Sequence, residues 1–347
     1  MNDEPLRIGT RGSVLARRQA ETVAAALGDH GVEVELVPVE TAGDRHREQL
    51  VQRLGRTGAF VRALDERVVD GDLDAAVHSM KDMPTELPDG LVVAAVPDRA
   101  DPRDVVVTPN GDGLAALDAG ATVGTASVRR RSQILREHPD LLVEPVRGNV
   151  DTRIEKLYAA HVQQGAAEFD EEEADEREEW IESLTELERA ALDREIEVAY
   201  DALVLSGAGL RRIDLDRQVQ PTPRPIATAV PAAGQGAIAV TMRDEDRARR
   251  VHAMIDKPPI RVAVTVERTL LAGLGGGCIA PIGINAVVQG EIVHTRVQVL
   301  DADGETAVEA TRDLPIERHL VAAEELAEEL ADRGARDLIA AAAEDER

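Results

Sequence analysis

The opening of the chain restricts its fold most. Leu6 to Thr10 reads as a strand, Arg11-Gly12-Ser13 as a turn, and Val32-Glu33-Val34-Glu35-Leu36-Val37 as a second strand alternating with period two. Between them Val14, Ala16, Ala20, Val23, Ala24 and Leu27 recur at helical spacing. Strand, helix, strand in that order implies parallel pairing in an α/β sheet. Ligands in such sheets bind beyond the carboxyl ends of the strands. Arg11 and Ser13 fall at such an end, beside a helix N-terminus that favours anions.

The alternation continues with a helix at 60–69 and strands at 73–79 and 91–96, after a polar loop at 41–58. Residues 97–104 form a charged, proline-bounded connector, read as a hinge, before the apolar Val105-Val106-Val107. Strands follow at 121–125, 141–146 and 200–205. Residues 158–198 interrupt them with an acidic run and a helical stripe of Trp180, Leu184, Leu187 and Ala191, read as an exposed, salt-adapted helical insertion. After a proline-rich crossing at 221–231 comes a buried strand at 237–240. From 260 the order changes to a helix at 264–271, a glycine-rich loop, strands at 284–288, 292–300 and 307–314, and a helix at 320–343. That segregated order is α+β on one antiparallel sheet.

Charge removes some function classes. The net charge of −26 opposes binding to nucleic acid or to an anionic membrane surface. Only Lys81, Lys156 and Lys257 are lysines; the other cations are arginines. Self-repulsion on that scale is screened at molar salt, where the Debye length is about 3 Å, so a high-salt cytoplasm is expected. No apolar run reaches the ~18 residues a membrane span needs. The acidic start lacks signal-peptide features, so a cytoplasmic location is expected. One cysteine excludes an intrachain disulfide and a cysteine-cluster metal site.

Three constellations carry chemistry. Lys81 and Asp82 are adjacent at a strand end, just before Pro84. They read either as a solvated ion pair or as an anion-binding ammonium beside a carboxylate able to move protons. Thr125, Ser127, Arg129 and Arg130 lie at a strand-to-helix junction, an anion cradle. With Arg11, Arg147 and Arg153 at similar junctions, the clustering favours a carboxylate- or phosphate-binding cleft, because guanidinium forks bind such groups bidentately. Third, Gly275-Gly276-Gly277-Cys278-Ile279-Ala280-Pro281 holds the only thiol, read either as a small buried hydrophobe or as a nucleophile or attachment point. Gly207-Ala208-Gly209 is a weak nucleotide signal, lacking the remaining glycine and acidic partner of a dinucleotide site.

These stretches together resemble the hydroxymethylbilane synthase (porphobilinogen deaminase) family. The resemblance rests on Arg7-Ile8-Gly9-Thr10-Arg11-Gly12-Ser13, His78-Ser79-Met80-Lys81-Asp82-Met83-Pro84, Gly124-Thr125-Ala126-Ser127-Val128-Arg129-Arg130, Val146-Arg147-Gly148-Asn149-Val150-Asp151-Thr152-Arg153, Pro231 to Ala237, and Gly276-Gly277-Cys278. It implies two type II periplasmic-binding-protein-like α/β lobes, 1–102 with 237–258 and 103–236, and a C-terminal α+β domain at 259–347. It implies a dipyrromethane held on Cys278 by a thioether and contacted by Lys81, Ser79, Thr125, Ser127, Arg129, Arg130 and Gln235. Asp82 would be catalytic, stabilising the cation left as ammonia departs. Arg11, Ser13, Arg147, Arg153 and Arg212 would bind the porphobilinogen carboxylates. No metal is implied, and a monomer is expected. Thr57, Ala126 and Gly273 depart from the residues usual in the family. A catalytically silent two-lobed anion-binding protein is the alternative; it would need neither Asp82 nor Cys278.

Overall fold

The computed structural model describes residues 4–39, 59–170, 173–243, 245–277 and 280–345. The expected loop at 41–58, with Thr57, and Cys278 itself lie outside them. The first lobe is built from β1 (Leu6–Arg11), α1 (Val14–Gly28), β2 (Val34–Val39), α2 (Ala59–Val69), β3 (Ala75–Ser79) and β4 (Leu91–Ala95). The second contains β5 (Asp104–Val107), β6 (Thr122–Gly124), α3 (Val128–Glu137), β7 (Leu142–Glu144), α4 (Val150–Ala166), α5 (Ala174–Ser183), α6 (Glu186–Leu192), β8 (Ala202–Ser206), α7 (Gly207–Arg212), α8 (Asp216–Val219) and β9 (Thr222–Pro223). The chain then returns to the first lobe as β10 (Ile238–Arg243) and α9 (Asp246–Ile255).

The two five-stranded sheets have the orders β2-β1-β3-β10-β4 and β7-β6-β8-β5-β9. Three strands in each are parallel, as the opening implies. The fourth in each order, β10 or β5, runs antiparallel and follows a crossing from the other lobe. Local periodicity reveals the buried strand but not its antiparallel pairing, because its partners are distant in sequence. Side chains from β1, β3 and β10, including Ile8, Val77 and Ile238, pack against Val23 and Leu27 of α1 and Val251 of α9.

The remaining elements are α10 (Pro258–Gly273), β11 (Ile282–Gln289), β12 (Ile292–Leu300), β13 (Ala307–Pro315), α11 (His319–Asp332) and α12 (Ala335–Asp345). The three strands form an antiparallel meander, with α10 and α11 packed over one face. The expected helix at 320–343 is two helices. Gly334, at φ +92°, breaks it in the left-handed region that glycine tolerates.

The surface excursion is narrower than the expected 158–198. Tyr158, Ala159 and Val162 lie in α4 and Leu187 and Ala191 in α6, and all five are buried in the second lobe's core. Only α5 has no buried residue. Trp180 secures it by a tilted ring contact with Phe169, with centroids 5.8 Å apart, and by covering Gly165.

Candidate active site

In the first lobe β3 ends at Ser79 and tightens into a 3-10 turn over Met80–Asp82. The loop at 231–237 holds this turn. Met80 N–H donates to Ala237 O at 3.0 Å, and Gly234, at φ +73°, lies where a Cβ would come within 2.6 Å of the buried Met80 side chain. Arg268 of α10 secures the exit, donating to Pro84 O at 2.6 Å and Met83 O at 3.4 Å. Asp82 is exposed and Lys81 half-buried. Burial lowers the Lys81 pKa; Asp82 and Asp104 oppose this, and Arg130 and Arg129 reinforce it.

In the second lobe Ser127 caps α3, its Oγ accepting from Arg130 N–H at 3.5 Å, just as Ser13 caps α1 by accepting from Ala16 N–H at 3.3 Å. Thr125 is buried, and its Oγ1 accepts from Ser127 N–H at 3.4 Å. Arg129 and Arg130 are buried and converge on one fully buried carboxylate. Arg129 Nη1 is 2.8 Å from Asp104 Oδ2, and Arg130 Nη2 is 2.9 Å from Asp104 Oδ1. The Gln235 side-chain amide donates to Asp104 Oδ1 at 2.8 Å. Burial alone would raise the Asp104 pKa, but the two guanidiniums outweigh it and hold the carboxyl below its usual range. Arg129 also donates to Gln133 Oε1 and Val230 O.

The other predicted arginines occupy different settings. Arg153, at the start of α4, donates to Gly148 O at 2.9 Å. Burial, with the Arg130 charge nearby, lowers its pKa to about 10. Arg212 donates to Gly236 O at 2.7 Å, and burial lowers its pKa as well. Arg11 is half-buried at the end of β1, whereas Arg147 is exposed. Thus Lys81, Arg129, Arg130 and Gln235 gather around Asp104, Arg153 lies in the field of Arg130, and Arg212 holds the crossing.

Glycines shape the approach to Cys278. Gly275 has φ +70°, and a Cβ on Gly276 would come within 2.8 Å of Leu271 and Ile282. Ala280 N–H closes the loop on Gly277 O at 3.1 Å. Gly273 packs so closely on Ala327 that a Cβ there would approach to 2.7 Å. The donor set around Asp104 suits a carboxylate-bearing group. Cations outnumber carboxylates in the cluster, and Arg130 Nε is buried with no hydrogen-bond partner among the described residues.

Asp104 and Glu267 are not singled out by sequence reasoning. Asp104 reads as one more charge in the connector, although an acid opening an all-valine strand was a usable signal. Glu267 is fully buried. It takes a bidentate pair from Arg99 at 2.8 and 3.1 Å and accepts from Gly234 N–H at 2.6 Å and Ala286 N–H at 2.7 Å. One carboxylate therefore ties together the two crossings, α10 and β11. Beneath the 3-10 turn, His78 bonds to Asp65 at 2.9 Å, and Asp65 also accepts from Thr241 Oγ1 at 2.8 Å.

Two family profiles match the chain. One, described as "Porphobilinogen deaminase, dipyromethane cofactor binding domain", covers residues 6–167 and 184–250 and skips 168–183. The other, "Porphobilinogen deaminase, C-terminal domain", covers 262–333. A probable porphobilinogen deaminase from Halobacterium salinarum is 44% identical, over 98% of each chain. A porphobilinogen deaminase from Acidothermus cellulolyticus is 38% identical, over 98% of this chain and 90% of its own. A periplasmic substrate-binding protein of an ABC transporter from Coxiella burnetii aligns at 12% identity and a TM-score of 0.37, covering 74% of this chain and 94% of its own.

Proposed function

Because this chain belongs to the porphobilinogen deaminase family, we propose a division of labour between its lobes, with the acid on one and the carboxylate grips on the other. The activity is that of hydroxymethylbilane synthase, a transferase. Four porphobilinogens are joined head to tail with loss of ammonia, on a dipyrromethane cofactor that supplies the covalently held pyrrole end to be extended. The catalytically silent alternative is not favoured.

The observation that carries the reading is the exposed Asp82 closing the 3-10 turn after β3, beside a Lys81 that lies in the field of Arg129 and Arg130. Asp82 stabilises the cation left on the incoming substrate when ammonia departs, and accepts the proton released when the new carbon–carbon bond forms. Lys81, Arg129, Arg130 and Gln235, with Ser79, Thr125 and Ser127, hold the cofactor carboxylates. Arg11, Ser13, Arg147, Arg153 and Arg212 bind those of the substrate. Cys278 is the anchor. The boundaries proposed are 1–102 with 237–258, 103–236 and 259–347.

The test is intact-protein mass with an activity assay. Purified protein should exceed its sequence mass by two linked pyrrole units that thiol reductants do not release. Cys278→Ser should lack that mass and leave porphobilinogen unconsumed. Wild-type protein at its bare sequence mass with full activity overturns the reading. The protein is further proposed to act as a cytoplasmic monomer at high salt. The net charge of −26 and the three lysines support the salt dependence, and a melting temperature flat or falling with added KCl contradicts it.

A further inference from the structure

We propose that Asp104 is a positioning residue for the reaction: its buried carboxylate fixes the Arg129 and Arg130 guanidiniums and is a counter-charge of the cation cluster that includes Lys81. This rests on the reading above, in which these three cations hold cofactor carboxylates. Asp104 opens β5 directly after the crossing from the first lobe, and it is fully buried. Arg129 and Arg130 form ion pairs, one with each of its oxygens, at 2.8 and 2.9 Å. Gln235, from the returning crossing, donates to Asp104 at 2.8 Å and to Pro102 O, and its side-chain oxygen accepts from Arg130 at 3.4 Å. Both inter-lobe crossings therefore meet at the arginine pair, the first through this carboxylate and the returning one through Gln235 and Val230 as well.

The charge balance explains why a carboxylate stands there. Charged groups acting on Lys81 include Asp82 on its own turn, Asp104 on β5, and Arg129 and Arg130 on α3. Without Asp104 these three cations would lose a buried counter-charge that they share. A nearby opposite charge favours the ionised form of a group. Removing the Asp104 charge therefore lowers the Lys81 pKa, so the basic limb of the pH profile moves to lower pH.

The experiment is the pH dependence of kcat/KM for porphobilinogen, with intact mass, in Asp104→Asn. The amide keeps the shape and one acceptor and removes the charge. The basic limb is expected to move down by about one pH unit and KM to rise. In Lys81→Arg, which has no lysine to titrate, Asp104→Asn should not move that limb. The double variant Asp104→Asn with Gln235→Glu returns a carboxylate beside Arg130 and should move the limb back toward wild type. An unshifted limb and KM in Asp104→Asn overturn the proposal, while loss of cofactor mass in Arg130→Ala leaves the reading of the arginines standing. Wild-type mass and KM in both Lys81→Ala and Arg130→Ala overturn that reading and this proposal with it. If Asp104→Asn does not fold and Gln235→Glu restores the fold without restoring KM, Asp104 is structural only and the proposal fails.

Discussion

The two lobes share a strand order but not a chemistry. Each places a serine-capped helix after its first parallel strand, Ser13 on α1 and Ser127 on α3. Two and three residues beyond the cap, the first lobe has Leu15 and Ala16 and the second has Arg129 and Arg130. The strand exits are reversed in character. β3 runs into Lys81 and Asp82, whereas β8 runs into the buried Gly207, Ala208 and Gly209. Two carboxylates show the consequence. Asp104, on the lobe with the arginine pair, is neutralised by it and buried. Asp82, on the opposite lobe, stays exposed. A carboxylate built next to strong cation grips becomes their counter-ion; on the other lobe it stays available for chemistry.

Removing each acid breaks this comparison most directly. Asp82→Ala should lower kcat about 10²–10⁴-fold while melting stays close to wild type, read by porphobilinogen consumption and a thermal scan. Consumption near the wild-type rate would sink the role of Asp82. Glu267→Ala should act in the opposite way. It removes the partner of a buried Arg99 and strands two backbone N–H groups, so unfolding in urea should show a loss of about 3–5 kcal/mol, with the cofactor still attached in the folded fraction. A loss under about 1 kcal/mol would demote that tie to a surface-like pair.

Smaller effects refine the picture. Replacing 168–183 by a short Gly/Ser linker should keep activity and cost about 1–2 kcal/mol, because Trp180 is its main anchor. The wider deletion of 158–198 would remove core residues of α4 and α6 and should not fold, as loss of the cooperative melting transition would show. Last, Ser13→Ala and Ser127→Ala should each cost about 1 kcal/mol of stability. Ser127→Ala should raise KM more than Ser13→Ala, since the turn that Ser127 caps also presents Arg129 and Arg130, whereas α1 has Leu15 and Ala16 there. Equal KM changes in both would remove that asymmetry.

Much of this was legible without coordinates. The period-two and helical patterns around Leu6–Leu36 identify the α/β opening, since side-chain direction alternates locally along a strand and recurs every turn of a helix. The Lys81-Asp82 pair, the arginines at strand ends and the lone Cys278 stand out by residue type and place. What tertiary structure alone decided is which charges are paired. Asp104 and Asp82 are both acids at strand termini, and only the fold buries one between Arg129 and Arg130 and leaves the other exposed. Glu267 is 168 residues from Arg99 and reads as one polar position on an apolar helix. The antiparallel return strands β5 and β10 likewise pair with partners far along the chain. Burial and pairing at such separations depend on where distant segments meet, and no local pattern encodes that.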